Sequence, residues 1–274
     1  MRKLVVIIFF ILISQSSFAQ LFSRERILHN ENFDKDRFSY GYYLGFNNYG
    51  FDFDYNNSIS ATTDTGEADR TDIQIDKSIG FSVGLLGNMR INDYIDLRFE
   101  PGLYITNRVL HYNAYHFEGY NYIDSDGNSV PYFGTSTTTA YDFQDDPKNV
   151  LEREIRSTYI HLPLLVKFSA KRLNNFKPFI MGGASMSINL NSNEENTEDN
   201  SNGQFRMKRY TYYYEVGVGI DFYLPYFKFT PSIRGVFAMN DELVRDDPLN
   251  GPSPWTDNIA SMKTQGIFIN FTFQ

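Results

Sequence analysis

Cysteine is absent from the 274-residue chain. Disulfides, thiolate metal sites, a cysteine nucleophile and a lipid-modified cysteine are thereby excluded. Tryptophan occurs once, and the four histidines, His29, His111, His116 and His161, form no pair at metal-ligand spacing. Past the first few residues no apolar run nears the roughly 18 residues a membrane helix needs, which excludes a helical multi-span protein. Excess positive charge is also lacking: the net charge of −8 argues against nucleic acid as a partner. There is no serine-centred nucleophile elbow, no phosphate loop and no zinc ligand set, so no enzyme activity, cofactor, metal or small-molecule substrate is expected. What the chain does have is 25 Phe, 20 Tyr and 19 Gly at moderate hydropathy, a composition that favours β-structure.

The first segment reads as an address. Arg2 and Lys3 precede the apolar stretch Leu4 to Ile13, and Ser17-Phe18-Ala19 places small residues at a cleavage site after Ala19. Residues 1–19 are therefore expected to be a secretory signal peptide, and residues 20–274 the mature domain. Loss of Arg2 and Lys3 would take the net charge from −8 to −10.

From Phe38 onward the pattern is alternation with period two, the mark of strands with unlike faces. Ile95, Leu97, Phe99, Leu103 and Ile105 alternate with Asp96, Arg98, Glu100, Tyr104 and Thr106. Phe227, Phe229, Ile233 and Phe237 alternate with Lys228, Thr230, Ser232 and Arg234. Eight strands are predicted, at about 38–55, 77–91, 94–111, 153–170, 176–191, 205–224, 227–243 and 262–274. Their connections are alternately long and short. An even strand number with this rhythm predicts an eight-stranded antiparallel up-and-down transmembrane β-barrel in the outer membrane, with long extracellular loops and short periplasmic turns. Such a barrel has outer-membrane lipid as its surroundings, and closure is demanded there because lipid cannot satisfy a sheet edge. A soluble barrel or sandwich shares the alternation, and alternation alone does not say which face points in.

Charge is sorted along the chain. The long connections 56–77, 112–152, 192–204 and 244–261 together hold nineteen acids and four bases. An acidic outer face serves solubility, with a basic partner or a divalent cation as the sharper alternative. Asp124-Ser125-Asp126-Gly127-Asn128 lacks the full calcium-loop spacing and reads better as an Asp-Gly turn. Pro101, Pro163, Pro178 and Pro231 each remove a ladder donor, and bulges are expected at them. Gly182-Gly183 inside a strand indicates close packing.

The candidate site is inside. Arg98, Glu100, Lys167, Glu215, Asp221 and Arg234, with Arg108, fall on polar faces. In a barrel this narrow such charges must pair, because an unpaired buried charge is costly. A paired network fills the lumen; a gated pathway or a carboxylate pair doing acid–base work is the alternative.

Three runs resemble a broad family of small outer-membrane barrels: Leu97-Arg98-Phe99-Glu100-Pro101-Gly102-Leu103, Tyr159 to Phe168 and Lys177 to Gly183. A narrower likeness, to the PorT/SprT branch, lies in Phe229-Thr230-Pro231-Ser232-Ile233-Arg234-Gly235-Val236-Phe237, in Asn240 to Leu243 and in the ending Gly266 to Gln274. Asn32-Phe33-Asp34, Tyr40-Gly41 and Leu44 to Asn47 are similar to it as well. That resemblance implies an outer-membrane accessory of type IX protein secretion, in some bacteria also of gliding motility, and not the translocation pore. It supplies no catalytic or ligand residues. Other secretion-machine subunits are the implied partners, through the periplasmic turns, the basic turn at 171–177 or the segment Gln20 to Arg37. A stand-alone surface barrel, an adhesin or resistance protein acting through its loops, is the competing expectation.

Overall fold

A computed structural model describes residues 28–30, 32–56, 73–113, 117, 120–123, 127–131, 151–195, 205–245 and 253–274. The expected leader and the Asp124–Asp126 stretch lie outside the described residues. The strands are β1 (Phe38–Tyr55), β2 (Gln74–Lys77), β3 (Gly80–Arg90), β4 (Ile95–Phe99), β5 (Gly102–His111), β6 (Asn121–Ile123), β7 (Ser129–Pro131), β8 (Glu152–Ser169), β9 (Phe176–Asn189), β10 (Tyr210–Tyr223), β11 (Lys228–Ala238) and β12 (Ile259–Phe273). All but β6 and β7 form one antiparallel sheet of ten strands, in which β1 pairs with β12 on one side and β3 on the other. That pair of contacts closes the sheet into a barrel and leaves no lipid-facing edge. β6 and β7 make a separate small hairpin, with Gly127 between them at φ +82°. Only glycine adopts that conformation without strain.

Ten strands stand where eight were predicted because two of them are interrupted. β2 and β3 run end to end along β5, and β4 and β5 end to end along β8. At Ser78-Ile79 the register along β5 slips by one residue, from Lys77↔Arg108 to Phe81↔Ile105. A one-residue slip exchanges the two faces of a strand. Ile73 is accordingly buried on one side of it and Gly80 and Ser82 on the other. At Glu100-Pro101 the strand breaks without any slip, since Gly84↔Gly102 and Gly87↔Phe99 keep one register.

The expected proline bulges are absent. Pro163 pairs with Ser185, Pro178 with Ile220 and Pro231 with Phe271, all within continuous registers. The missing donors open local gaps instead: β10 and β11 skip Ile220 and Asp221 and resume at Phe222↔Phe229 in step. Among the registers of β1, the irregularity lies at Asp54/Tyr55, at the long-loop end. Three strand ends also differ from expectation. β10 starts at Tyr210 and not at 205, β11 stops at Ala238 and not at 243, and β12 starts at Ile259. Phe205, Met207 and Leu243 are buried outside the strands, and the Asp241 side chain takes the N–H groups of Leu243 and Met262.

Burial decides which face points where. Toward the short turns the exposed residues are apolar: Leu44 and Phe46 on β1, Phe81, Val83 and Leu85 on β3, Leu164 and Phe168 on β8, Val216 and Val218 on β10, Ile267 and Ile269 on β12. The buried ones there are largely polar. That is the inverse of a soluble protein and the arrangement lipid requires. Aromatic pairs such as Tyr42/Phe273 and Tyr214/Phe237 stack across neighbouring strands of the outer wall. Toward the long loops the faces exchange roles. Asp52, Asp54, Asp76, Glu154 and Arg156 point outward, while Phe51, Ile73, Leu110, Ile155, Ile259 and Met262 meet in an apolar core. The barrel thus continues past the lipid belt as a water-soluble barrel, with Trp255 and Tyr120 packed against that core.

Candidate functional site: the lumen and its short-turn mouth

The six charged candidates all lie buried within the barrel. β4 carries Arg98 and, just past its end, Glu100; β8 carries Lys167; β10 carries Glu215 and Asp221; β11 carries Arg234. Strand alternation turns each of these side chains inward. Barrel closure then brings β4 and β11 face to face across the lumen.

Two clusters form. In the upper one, Arg98 Nη2 lies 2.7 Å from Glu100 Oε1. Arg234 Nη1 sits between two carboxylates, 3.2 Å from Glu100 Oε2 and 3.1 Å from Glu215 Oε2. Glu215 Oε1 is 2.8 Å from His161 Nε2, and His161 Nδ1 is 2.5 Å from Ser187 Oγ. Arg234 also donates to the Tyr104 hydroxyl at 3.3 Å, which Tyr43 joins at 3.2 Å. Alternating signs along Arg98, Glu100, Arg234 and Glu215 cancel locally, which is how a narrow lumen tolerates four ions. In the lower cluster Asp221 takes Lys167 Nζ at 2.5 Å and the Thr230 hydroxyl at 2.8 Å, with Lys228 Nζ at 3.9 Å. The Phe179 ring separates the two, contacted by Arg98 at 5.9 Å and by Lys167 at 4.0 Å.

Arg108 departs from the expectation that each lumen charge pairs with an opposite one. It donates to the Tyr159 hydroxyl at 2.6 Å and to Ser157 Oγ at 3.3 Å, and its guanidinium lies 4.0 Å from the centre of the Phe51 ring. Aromatic faces and hydroxyls replace the carboxylate. The nearby buried acid, Glu242, instead accepts the N–H and the hydroxyl of Thr264, each at 3.0 Å. It lies beyond the end of β11, and burial pushes its carboxyl up to about 7.

His161 and Ser187 were not among the candidates. They face one another directly in the β8–β9 register, and Glu215 completes a Ser–His–Glu set. The types are those of a nucleophilic triad. All three are buried, and the second Glu215 oxygen is engaged by Arg234, so the set is interlocked with the wall. Only the strand register joins them, and one sequence does not reveal a register.

The short-turn mouth is crossed by residues 28–30 and 32–37. The Tyr223 hydroxyl donates to both Asp34 oxygens, at 2.8 and 3.0 Å. Phe33 meets the Tyr223 ring edge-on, and Lys228 Nζ lies 4.5 Å over Phe33. Arg172 lies over the Tyr223 ring at 3.7 Å and hydrogen-bonds the carbonyls of His29 and Asn30. Arg90 N–H donates to the Arg37 carbonyl at 2.8 Å. Part of the segment expected to reach toward other subunits is therefore bound to its own barrel, and Arg172 of the basic turn holds it. Lys177 is turned inward, 3.3 Å from the Asp93 carbonyl.

Gly183 packs closely: a Cβ there would overlap the Leu164 carbonyl and approach the Leu165 Cα to 2.9 Å. Gly182 beside it has room, with its nearest neighbour at 3.4 Å. Among the described residues no group of three His, Cys, Asp or Glu is placed to hold a metal ion.

Solved structures similar to the chain include Neisserial surface protein A, 10% identical, with 86% of this chain and 98% of that one covered and a TM-score of 0.39. OprG of Pseudomonas aeruginosa is 12% identical over 85% of this chain and 94% of that one, with a TM-score of 0.41. AlkL is 12% identical over 85% and 87%, with a TM-score of 0.37. No curated protein sequence matches. The family model described as outer membrane protein beta-barrel domain matches residues 18–244, and the chain belongs to that family of outer-membrane barrels.

Proposed function

We propose that the protein is an outer-membrane accessory of the type IX secretion system, in some hosts of gliding as well, and that it works by anchoring or assembly. The observation that carries this reading is the filled lumen. Interlocked ion pairs occupy the middle, residues 28–30 and 32–37 cross one mouth and an apolar core occupies the other end, so the barrel acts through its surfaces and not as a conduit. The likeness of residues 229–237, 240–243 and 266–274 to the PorT/SprT branch supplies the secretion context. With Arg172 and Lys177 engaged internally, the short-turn face presents Lys171, Leu173 and Tyr226, the last 93% exposed. These are the groups offered to a neighbouring subunit.

The experiment is deletion of the gene in its host, with type IX cargo measured in medium and periplasm. Periplasmic accumulation, reversed by the intact gene but not by a Leu173→Ser/Tyr226→Ser variant, supports the reading. Normal secretion sinks it. The competing reading, a stand-alone surface barrel, draws on the acidic long connections. Shortening those loops would abolish that function and leave secretion intact.

A further inference from the structure

The side chains that hold residues 32–37 at the short-turn mouth are fixed by the barrel and not by that segment. Tyr223 closes β10, and its N–H donates to the Asn175 carbonyl at 2.8 Å. Lys228 opens β11 and exchanges both backbone hydrogen bonds with Gln274. Arg172 is tied to its own turn, donating to the Asn174 carbonyl at 2.7 Å and to Asn175 Oδ1 at 3.3 Å. All three would keep their places if the segment left. The segment is built differently. Its single 3-10 turn, Phe33–Lys35, has no buried residue and no side-chain cap, and the chain joins no strand before Phe38. What it brings is one ring and one carboxylate. Phe33 meets Tyr223 edge-on at 6.3 Å beneath Lys228 Nζ. Asp34 accepts from the Tyr223 hydroxyl and lies 3.9 Å from Arg172 Nη1.

Charge explains why a carboxylate sits there. The mouth gathers the buried Lys167, Lys177 and Lys228, and with them Arg172, against the buried Asp96 and Asp221. Asp221 is engaged by Lys167 at 2.5 Å, and Lys228 stands 3.9 Å from the same oxygen. The exposed Asp93 is paired with Arg90 at 2.6 Å. Among the described residues, Asp34 is the one acid that reaches Arg172. Without it the socket keeps an excess of positive charge in a half-enclosed place, which is costly until another anion enters.

We propose that this socket is a receptor site for an acidic–aromatic segment of a periplasmic partner protein, Phe or Tyr followed by Asp or Glu, and that Phe33 and Asp34 occupy it as a tethered stand-in. The partner's ring takes the place of Phe33 between Tyr223 and Lys228, and its carboxylate takes that of Asp34. A short tether gives the resident segment an effective concentration in the range of about millimolar. The mouth therefore answers only to a partner that binds more strongly or is held close by. This inference goes beyond the secretion reading. It uses only the orientation of an outer-membrane barrel, whose short turns face the periplasm.

The test uses the mature barrel in phosphatidylcholine nanodiscs and the fluorescein-labelled peptide Asn-Phe-Asp-Ala-Asp, which copies 32–36 with alanine in place of Lys35. The control peptide, Asn-Phe-Asn-Ala-Asn, lacks the carboxylates. Phe33→Ala/Asp34→Ala opens the socket at two half-buried positions. By fluorescence anisotropy the opened variant should bind the acidic peptide about tenfold or more tighter than the wild-type barrel does, and tighter by a similar factor than it binds the control. Adding Tyr223→Phe should remove about that factor, because the donor to the carboxylate is gone. In the wild-type barrel an excess of unlabelled peptide should quicken trypsin cleavage after Lys35 and Arg37 as the segment is displaced. Gel mobility of unheated samples verifies folding, and the wild-type cleavage decides the matter if the opened variant is unfolded. Equal binding by the wild-type and opened barrels would overturn the proposal by placing the peptide elsewhere. So would equal binding of the two peptides, indifference to Tyr223→Phe, or absence of both binding and faster cleavage. Loss of peptide binding on adding phosphatidylglycerol to the nanodiscs would also overturn it, by giving the socket to a lipid phosphate.

Discussion

Glu215 divides its carboxylate between two partners, His161 at 2.8 Å on one oxygen and Arg234 at 3.1 Å on the other. Arg234 in turn spans Glu215 and Glu100. Removing Arg234 therefore leaves two buried carboxylates each short of a partner. Arg234→Met is expected to destabilise the barrel by ~3–5 kcal/mol. Adding Glu215→Leu should cost less than the sum of the single changes, since the second substitution removes one of the stranded charges. Urea unfolding in lipid vesicles, followed by gel mobility, measures both. A shift below ~1 kcal/mol for Arg234→Met would mean that the network is not holding the lumen together.

Two glycines separate packing from permissiveness. At Gly183 a Cβ runs into the backbone of β8, whereas at Gly87 the nearest atom, the Phe99 carbonyl oxygen, is 3.9 Å away. Gly183→Ala should cost ~1–3 kcal/mol through displaced strands. Gly87→Ala should stay within ~0.5 kcal/mol, and the same unfolding assay compares them. Equal effects at the two positions would contradict the β8–β9 spacing.

Much of this was legible in the residues. Alternation in 227–237 and 95–105 located β11 and the β4–β5 stave, and placed Arg98, Glu100 and Arg234 on inward faces. Their pairing was not legible, because contact between Glu100 and Arg234 depends on how the sheet closes. The Ser187–His161 contact depends on register for the same reason. The slip at Ser78-Ile79 was hidden because either parity gives plausible faces on each side of it. Residues 205–209 alternate like a strand, yet Phe205 and Met207 are drawn into an apolar core that exists only above the lipid belt. The exchange of inner and outer chemistry along the barrel also explains why no single polar-in rule assigned every face.

Glu242 gives the long-loop end a dependence on pH. Its side chain is enclosed, held by Thr264 and facing Arg108, and burial raises it from the ordinary 4.5 to about 7. The folded form thus holds this proton through a range where the unfolded chain has released it. The associated stability is complete below about pH 4.5 and is lost as pH rises through about 7. Its size is ~3 kcal/mol at most. The unfolding midpoint should fall between pH 5 and pH 8, and Glu242→Gln should flatten that part of the profile. An unchanged slope in the variant would assign the dependence to other groups.

The lipid-facing wall admits a direct test. Val218 is 57% exposed at the middle of β10, with Ile233 opposite it on β11. A positive charge on this face meets hydrocarbon, whereas one on the inner face meets a polar network. Val218→Lys should cost ~2–4 kcal/mol in bilayers. Val218→Thr should cost much less. If Val218→Lys were neutral in a bilayer, this face would not be in contact with lipid.

Residues 28–30 and 32–37 are held at the short-turn mouth chiefly through Tyr223, which donates to both oxygens of Asp34 and is covered by Arg172. A hydrogen bond to a charged group is worth ~1.5–3 kcal/mol, so Tyr223→Phe should raise transient release of the segment about tenfold or more. Lys35 and Arg37 are exposed and supply trypsin sites within it. Their cleavage in the folded barrel should quicken by about that factor in the Tyr223→Phe variant, while the unfolding midpoint of the barrel moves little. Arg172→Ala should act in the same direction, because it removes both the cover over Tyr223 and the bonds to the His29 and Asn30 carbonyls. Cleavage at the wild-type rate in both variants would show that the segment is held by something other than these contacts.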